Sequence, residues 1–340
     1  MFERQIKIPD AEEILKLVPL PENLRKIKEE RDKLVSDVIT GRSDKLILIV
    51  GPCSAHEEKP VLDYVERLGK LNEKVKDRIV IIPRLYTNKP RTRGVGYKGM
   101  FSQPDPTKSE DILKGIYAIR HLNIKAIELS GLSAADEMLY PTNIHYVEDL
   151  LTYIAVGARS CENQLHRLVA SGIDVAVGVK NPMSGSILAM LNSVYAAQSG
   201  QVFKLNGWQV KTYGNPLAHC ILRGAVDGYG NDIPNFHYET VMQVAEGYAK
   251  SGLANPAIII DANHSNSAKK FKQQIRICEE AMQNRLYDKD FKKIVKGFMV
   301  ESFIEEGNQK EDCVYGKSIT DPCLGWKDTE RLILDIAEKA

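Results

Sequence analysis

The run Lys45-Leu46-Ile47-Leu48-Ile49-Val50-Gly51-Pro52-Cys53-Ser54 decides the fold. Five apolar residues without a polar interruption read as a strand covered on both faces, as strands of a parallel sheet are. Gly51-Pro52 then breaks the run just ahead of a thiol. Comparable runs recur at residues 79–82, 124–129, 153–156, 175–179, 220–222, 257–260 and 298–300. Apolar residues at helical spacing fill windows between most of them, at 60–75, 109–121, 162–171, 186–198, 238–251 and 268–282, and residues 329–339 supply a last helix. Eight alternations of strand and helix predict a (β/α)8 TIM barrel, with an open doubly wound sheet as the main rival.

Two segments stand outside that alternation. Strand-like pieces at 201–205 and 210–213, separated by Gly207-Trp208, predict a β-hairpin inserted before the sixth strand. Residues 11–40 place Ile14, Leu15 and Val18, then Leu24, Ile27, Leu34, Val35, Val38 and Ile39, among many charges. That spacing predicts two amphipathic helices separated by Pro19 and Pro21. The chain therefore divides into an N-terminal helical extension over 1–43 and a barrel over 44–340.

Composition narrows the function classes. The 340 residues carry 46 Lys and Arg against 45 Asp and Glu, a net charge of +1. Such neutrality argues against a nucleic-acid or membrane binder that acts through bulk charge. Six cysteines with no CxxC pair suit a reducing compartment. No apolar stretch approaches the ~20 residues of a membrane span, and no signal-like segment opens the chain, so the expected location is the cytoplasm.

Polar residues follow the apolar runs closely: Cys53, Arg84, Arg159, Lys180, Arg223, His264 and Glu301. In a barrel such positions converge on one mouth. Cys53, His264, Glu301 and Asp321 supply a sulfur, an imidazole and two carboxylates, a mixed set suited to Mn, Fe, Co or Zn. A His264 satisfied by Asp261 and a simply buried Cys53 fit the same residues. Arg84, Lys89, Arg91, Arg159, Lys180 and Arg223 form a second group, and cations gathered so densely imply substrates rich in phosphate and carboxylate. In Lys89-Pro90-Arg91-Thr92, Pro90 stiffens a loop whose arginine and hydroxyl both reach toward an anion. Solvated loop charges are the alternative reading of Arg91 and Arg93.

These residues resemble the metal-dependent type I 3-deoxy-D-arabino-heptulosonate-7-phosphate (DAHP) synthases. The motifs that carry the likeness, in order, begin with Gly51-Pro52-Cys53-Ser54, Lys89-Pro90-Arg91-Thr92, Gly157-Ala158-Arg159 and Val179-Lys180-Asn181. They continue with Ile221-Leu222-Arg223-Gly224, Asp261 with His264-Ser265-Asn266-Ser267, and Met299-Val300-Glu301-Ser302. Glu306-Gly307-Asn308-Gln309 and Tyr315-Gly316-Lys317-Ser318-Ile319-Thr320-Asp321 complete them. The resemblance implies an aldol-like condensation of phosphoenolpyruvate with erythrose 4-phosphate and water, giving DAHP and phosphate at the first step of the shikimate pathway.

It implies one divalent metal ion per subunit, Mn, Fe, Co or Zn, on Cys53, His264, Glu301 and Asp321. Arg159, Lys180 and Arg223 would hold the phosphate of phosphoenolpyruvate, with Arg84 and Lys89 on its carboxylate. Arg91 and Thr92 would receive the phosphate of erythrose 4-phosphate, and Glu137 would orient an active-site water. Lys89 and His264 are the two candidates for proton transfer, which the sequence does not rank, and with Cys53 and Asp321 they make up the catalytic set. On the same grounds the extension over 1–43 is expected to serve oligomerisation and regulation, the barrel over 44–340 to be catalytic, and the assembly to be a homodimer or homotetramer. An aromatic amino acid is the candidate inhibitor, although residues 141–146, Asp174 and residues 1–9 depart from the inhibitor-binding region of the feedback-regulated enzymes. The chain departs from more familiar members at Asn181-Pro182-Met183-Ser184-Gly185, where those have Gly-Thr-Asp-Gly. The other readings are 3-deoxy-D-manno-octulosonate-8-phosphate synthase and a non-catalytic barrel partner of a chorismate-pathway enzyme.

Overall fold

The computed structural model describes residues 1–91, 93–310 and 314–340. The chain opens with α1 (Ala11–Leu17), α2 (Glu22–Ile39), β1 (Leu46–Gly51), α3 (Glu58–Val75), β2 (Ile79–Pro83), α4 (Ile112–Ser130) and β3 (Ala134–Glu137). It continues through β4 (Leu151–Val156), α5 (Gln164–Ala170), β5 (Ala176–Lys180), α6 (Ile187–Gln198), β6 (Val202–Leu205), β7 (Trp208–Lys211) and β8 (His219–Leu222). The remainder is β9 (Ala225–Val226), β10 (Asp232–Ile233), α7 (Tyr238–Ser251), β11 (Ile258–Asp261), α8 (Gln273–Tyr287), α9 (Lys289–Ile294), β12 (Val295–Glu301) and α10 (Trp326–Lys339).

Eight strands lie parallel in the order β2-β1-β12-β11-β8-β5-β4-β3. A parallel bridge between Arg84 and Ala135 joins the two ends of that order and closes the ring as a (β/α)8 barrel. Alternation along the strands sorts the apolar residues into two layers. Leu46, Leu48 and Val50 face the helices, while Ile47 and Ile49 enter a core with Val80, Ile82, Tyr153, Ile221, Ile259 and Met299 inside the ring. Val35, Val38 and Ile39 of α2 belong to that inner core, so α2 plugs the floor at the N-terminal ends of the strands. Arg31 of the same helix donates to the Ile81 carbonyl. Arg120, fully buried, donates from Nη2 to Val18 O at 2.7 Å and pairs with Asp149 at 2.7 Å. The extension is thereby stitched to the barrel at both of its helices.

The third strand is not where the apolar pattern puts it. Residues 124–129 are the last turns of α4, because Ile116, Ile119, Asn123, Ala126 and Ile127 form one buried helical stripe. Gly131, in the left-handed conformation at φ 66°, ends that helix. The strand is Ala134–Glu137, whose composition has little strand preference; pairing to β4, Ala135 opposite Tyr153, imposes it. Glu137 therefore ends a strand. The inserted hairpin is β6 and β7, antiparallel with Leu205 opposite Trp208. Its turn is Asn206-Gly207, both at positive φ (47° and 88°), the pairing that a two-residue hairpin turn favours. The second arm consequently begins at Trp208, two residues before the sequence pattern places it. No helix among the described residues is long and apolar enough to cross a membrane.

His219 lies fully buried in β8. Its Nδ1 lies 2.8 Å from Leu217 O and its Nε2 2.7 Å from the Tyr153 hydroxyl. A neutral ring that donates at Nδ1 and accepts at Nε2 satisfies both. Burial pushes its pKa down from 6.5 to about 4. The unfolded chain then binds the extra proton first, so this stability is intact above pH 6.5 and is lost as pH falls toward 4. The expected loss is about 3 kcal/mol. Urea unfolding of His219→Gln should show a shallower fall across that window than the parent; identical slopes would contradict this account.

Candidate active site at the barrel mouth

A cavity of about 420 Å³ opens at the C-terminal ends of the strands. Arg84, Lys89, Arg91, Glu137, Arg159, Lys180, Arg223, His264 and Asp321 all line it, so the fold gathers one residue set from most of the barrel's length. Cys53 and Glu301 lie fully buried beneath it. Thr92 lies outside the described residues.

The cations fall into two groups. Arg84 Nη2 stands 2.9 Å from Glu301 Oε1, Lys180 Nζ 2.9 Å from Asp261 Oδ2, and Lys89 Nζ 3.3 Å from Asp321 Oδ2. Arg91, Arg159 and Arg223 have no carboxylate within ion-pair distance among the described residues. Arg91 Nε donates to Tyr97 O at 2.7 Å, and Arg223 Nη1 to Ser265 Oγ at 3.0 Å. Burial lowers the Arg223 pKa, with Asp261 opposing that shift. A half of the mouth that is cationic and unneutralised attracts anions, and guanidinium forks bind phosphate and carboxylate with two parallel bonds.

Beneath the cations, one ligand atom each of Cys53, Glu301 and Asp321 lies within 4.8 Å of the others. Lys89 Nζ donates to Cys53 Sγ at 2.6 Å. Burial opposes the charge on Lys89, but Cys53 and Asp321 outweigh it and hold the ammonium protonated. Burial and Glu301 push the Cys53 thiol up. On Glu301, burial is outweighed by Arg84 and His264, and the carboxyl is held low. Its Oε1 accepts no well-formed hydrogen bond, although Asn263 Nδ2 donates to Oε2 at 2.6 Å. A buried carboxylate oxygen that meets Arg84 only as an ion pair, without a well-formed hydrogen bond, and faces a sulfur and a second carboxylate, fits a divalent cation. His264 stands at the edge of this trio, its Nε2 3.8 Å from Glu301 Oε1 and its Nδ1 2.8 Å from Asp261 Oδ2. The non-glycine φ of 51° at His264 is a strained conformation of the sort that functional sites retain.

Neighbouring residues explain the local motifs. A Cβ at Gly157 would lie 2.3 Å from Glu137 Oε1, so the Gly157-Ala158-Arg159 turn needs glycine for that carboxylate to enter the mouth. Asn181, in the divergent loop after β5, accepts from the Arg223 amide at 2.9 Å and donates to Gly224 O at 2.8 Å. That loop thus fixes an arginine of the mouth. Two residues escaped sequence reasoning. Tyr86 lines the cavity with the Arg84 guanidinium 3.8 Å from its ring centre, and Lys269 approaches Asp321 to 3.6 Å. The inward period of two from Arg84 points to Tyr86; nothing local singles out Lys269.

A closed (β/α)8 barrel with unpaired arginines over a sulfur–carboxylate centre defines a class: an enzyme acting on phosphorylated or carboxylated substrates beside residues able to hold a divalent cation. The chain belongs to the DAHP synthetase I family, whose model matches residues 22–333. It is 38% identical over 315 residues to the Trp-sensitive phospho-2-dehydro-3-deoxyheptonate aldolase of Enterobacter agglomerans, covering 90% of this chain and 87% of that one. It is 37% identical over 334 residues to the Phe-sensitive enzyme of Escherichia coli K12, covering 95% and 92%. A solved phospho-2-dehydro-3-deoxyheptonate aldolase from Francisella tularensis superposes with a TM-score of 0.92 at 30% identity, over 100% of this chain and 98% of the other.

Asp261 is the shared anion of Lys180 and His264. Burial would raise its carboxyl, but His264 and Lys180 outweigh burial and hold it well below the usual carboxylate range. Asp261→Asn leaves the buried Lys180 ammonium unpaired, and urea denaturation should register a loss of about 3–5 kcal/mol. A loss under about 1 kcal/mol would show that solvent already neutralises this pair.

Proposed function

We propose that this chain is a DAHP synthase that condenses phosphoenolpyruvate with erythrose 4-phosphate and water, releasing phosphate. Family membership over residues 22–333 supports the reaction. The observation that carries its assignment to this cavity is the division of the mouth into paired and unpaired cations. Arg159 and Arg223, with Lys180 behind them, receive the phosphate of phosphoenolpyruvate. Arg84 and Lys89 face its carboxylate, and Arg91 takes the phosphate of the aldose, with Thr92 assigned beside it by motif alone. Two mutually repelling anions are thereby held at reacting distance, an ordering worth several kcal/mol of barrier.

C3 of phosphoenolpyruvate attacks the aldehyde carbon, the aldehyde oxygen takes a proton, water adds at C2, and phosphate departs from C2. Lys89, held protonated by Cys53 and Asp321, serves as a hydrogen-bond and proton donor to developing negative charge. His264, oriented by Asp261 through Nδ1, presents Nε2 as the second proton-transfer group. Glu137, brought against Gly157, orients the water. Cys53, Glu301 and Asp321, with His264 Nε2 at the rim, would hold one divalent ion of the Mn, Fe, Co or Zn type, which when bound supplies Lewis-acid polarisation of the aldehyde oxygen.

The proposal extends to regulation and assembly. Relatives are named Trp-, Phe- and Tyr-sensitive, which supports inhibition of this chain by an aromatic amino acid. Exposed Met1 and Phe2 on the N-terminal arm, with Trp208 and Tyr213 on and beside the hairpin, are apolar surface suited to a homodimer or homotetramer. A cytoplasmic biosynthetic role fits these features.

A phosphate-release assay tests the reading. Turnover should require phosphoenolpyruvate and erythrose 4-phosphate together, fall to background on chelation, and return on adding back Mn, Fe, Co or Zn. Arabinose 5-phosphate as the better acceptor would instead favour the octulosonate synthase. Cys53→Ala should stay inactive after metal add-back; full activity there would remove Cys53 from the ligand set. Repeating the assay with Phe, Tyr and Trp identifies the inhibitor.

A further inference from the structure

A second cationic cavity, of about 400 Å³, lies at the opposite end of the barrel. It opens where the chain leaves α2 and enters β1, beside α9 and the first residues of β12. The length of β12 separates it from Glu301 at the mouth by about 20 Å. Six cations line it, Lys45, Arg285, Lys289, Lys292, Lys293 and Lys296, against the one carboxylate of Asp44. Lys293 is paired with Asp290 at 3.2 Å, and Lys45 donates to Lys76 O at 2.8 Å. Lys289, Lys292 and Lys296 have no carboxylate within ion-pair distance among the described residues.

We propose that this floor cavity binds a small phosphorylated anion, separately from the mouth. Its volume is that of a small-molecule site, too small for a polymer. Like charges gathered around a concavity repel unless an anion joins them, and a concave wall strengthens the attraction for one. Lys296 is half-buried beneath α2, where burial, with Arg285 beside it, disfavours its charge and only Asp44 favours it. A lysine kept in that position without a close counter-ion is the feature a bound anion would relieve. Arg285, buried, has Nη1 turned to the carbonyls of Lys292 and Val295, so it fixes the wall. The lysine ammonium groups, beside the remaining N–H groups of Arg285, are the donors left to meet an incoming anion. Ammonium groups act as point charges that suit a compact, multiply charged phosphate better than a planar carboxylate.

Acetylation by acetic anhydride, read lysine by lysine by mass spectrometry, tests the proposal without involving turnover. Inorganic phosphate in the low millimolar range should slow labelling of Lys289, Lys292 and Lys296 at least fivefold at constant ionic strength, leaving exposed Lys16 and Lys327 unchanged. Protection should be saturable and persist in Arg159→Ala, in which the mouth is impaired. Citrate at equal ionic strength should protect less; equal protection would overturn the preference for phosphate. Lys296→Met should abolish protection at Lys289 and Lys292, and exposed Lys292→Gln should weaken it at Lys289 and Lys296 if the methionine variant does not fold. Labelling rates unaffected by phosphate, or slowed equally at every surface lysine, would overturn the site.

Discussion

The structure depends on Arg84, which closes the barrel and charges its mouth at once. Its backbone bridges Ala135 across the only gap in the strand order, and its amide donates to Val50 O at 2.9 Å. Its fully buried guanidinium meets Glu301 at 2.9 Å and donates to Pro52 O at 2.7 Å. One residue thus joins β1, the end of β2, β3 and the end of β12. Burial opposes the charge on Arg84, and Glu301, Tyr86 and Cys53 outweigh that opposition. The charge persists because the fold supplies its partner, and the partner is itself part of the proposed metal set.

That coupling shapes the rest of the mouth. Buried ions are tolerated when paired, and the deepest cations of the mouth, Arg84 and Lys180, are the paired ones. Of the cations that lack a carboxylate, Arg159 is exposed and Arg91 half-buried, while Arg223 is buried and donates to Ser265 Oγ. An anionic substrate thus meets three guanidinium groups that no carboxylate among the described residues neutralises, while the buried Arg84 and Lys180 keep their charge through Glu301 and Asp261. The floor cavity at the other end of β12 gathers unpaired lysines around the half-buried Lys296, with no such paired layer beneath them among the described residues.

The eightfold alternation was legible because a strand covered on both faces must be apolar nearly throughout. Seven of the eight strands announce themselves that way. Residues 134–137 do not: Ala-Ala-Asp-Glu carries no strand preference, while the apolar run at 124–129 satisfies a helical stripe equally well. Short apolar runs do not distinguish the two, and pairing to β4 decided the outcome. The hairpin's turn was displaced because Asn206-Gly207 specifies a two-residue connection more strongly than the aromatic after it marks a boundary.

The sequence by itself determined the fold class and the chemical types at the strand ends, because backbone period and turn chemistry are local. It named Cys53, Glu301 and Asp321 without bringing them together, since they are separated by most of the chain. Only the closed ring put their ligand atoms within 4.8 Å, divided the cations into paired and unpaired, and made α2 the floor of the barrel and not a detached extension. Tyr86 and Lys269 gained their places the same way. Their meaning depends on neighbours that distance in sequence conceals, and long-range packing alone supplies those neighbours.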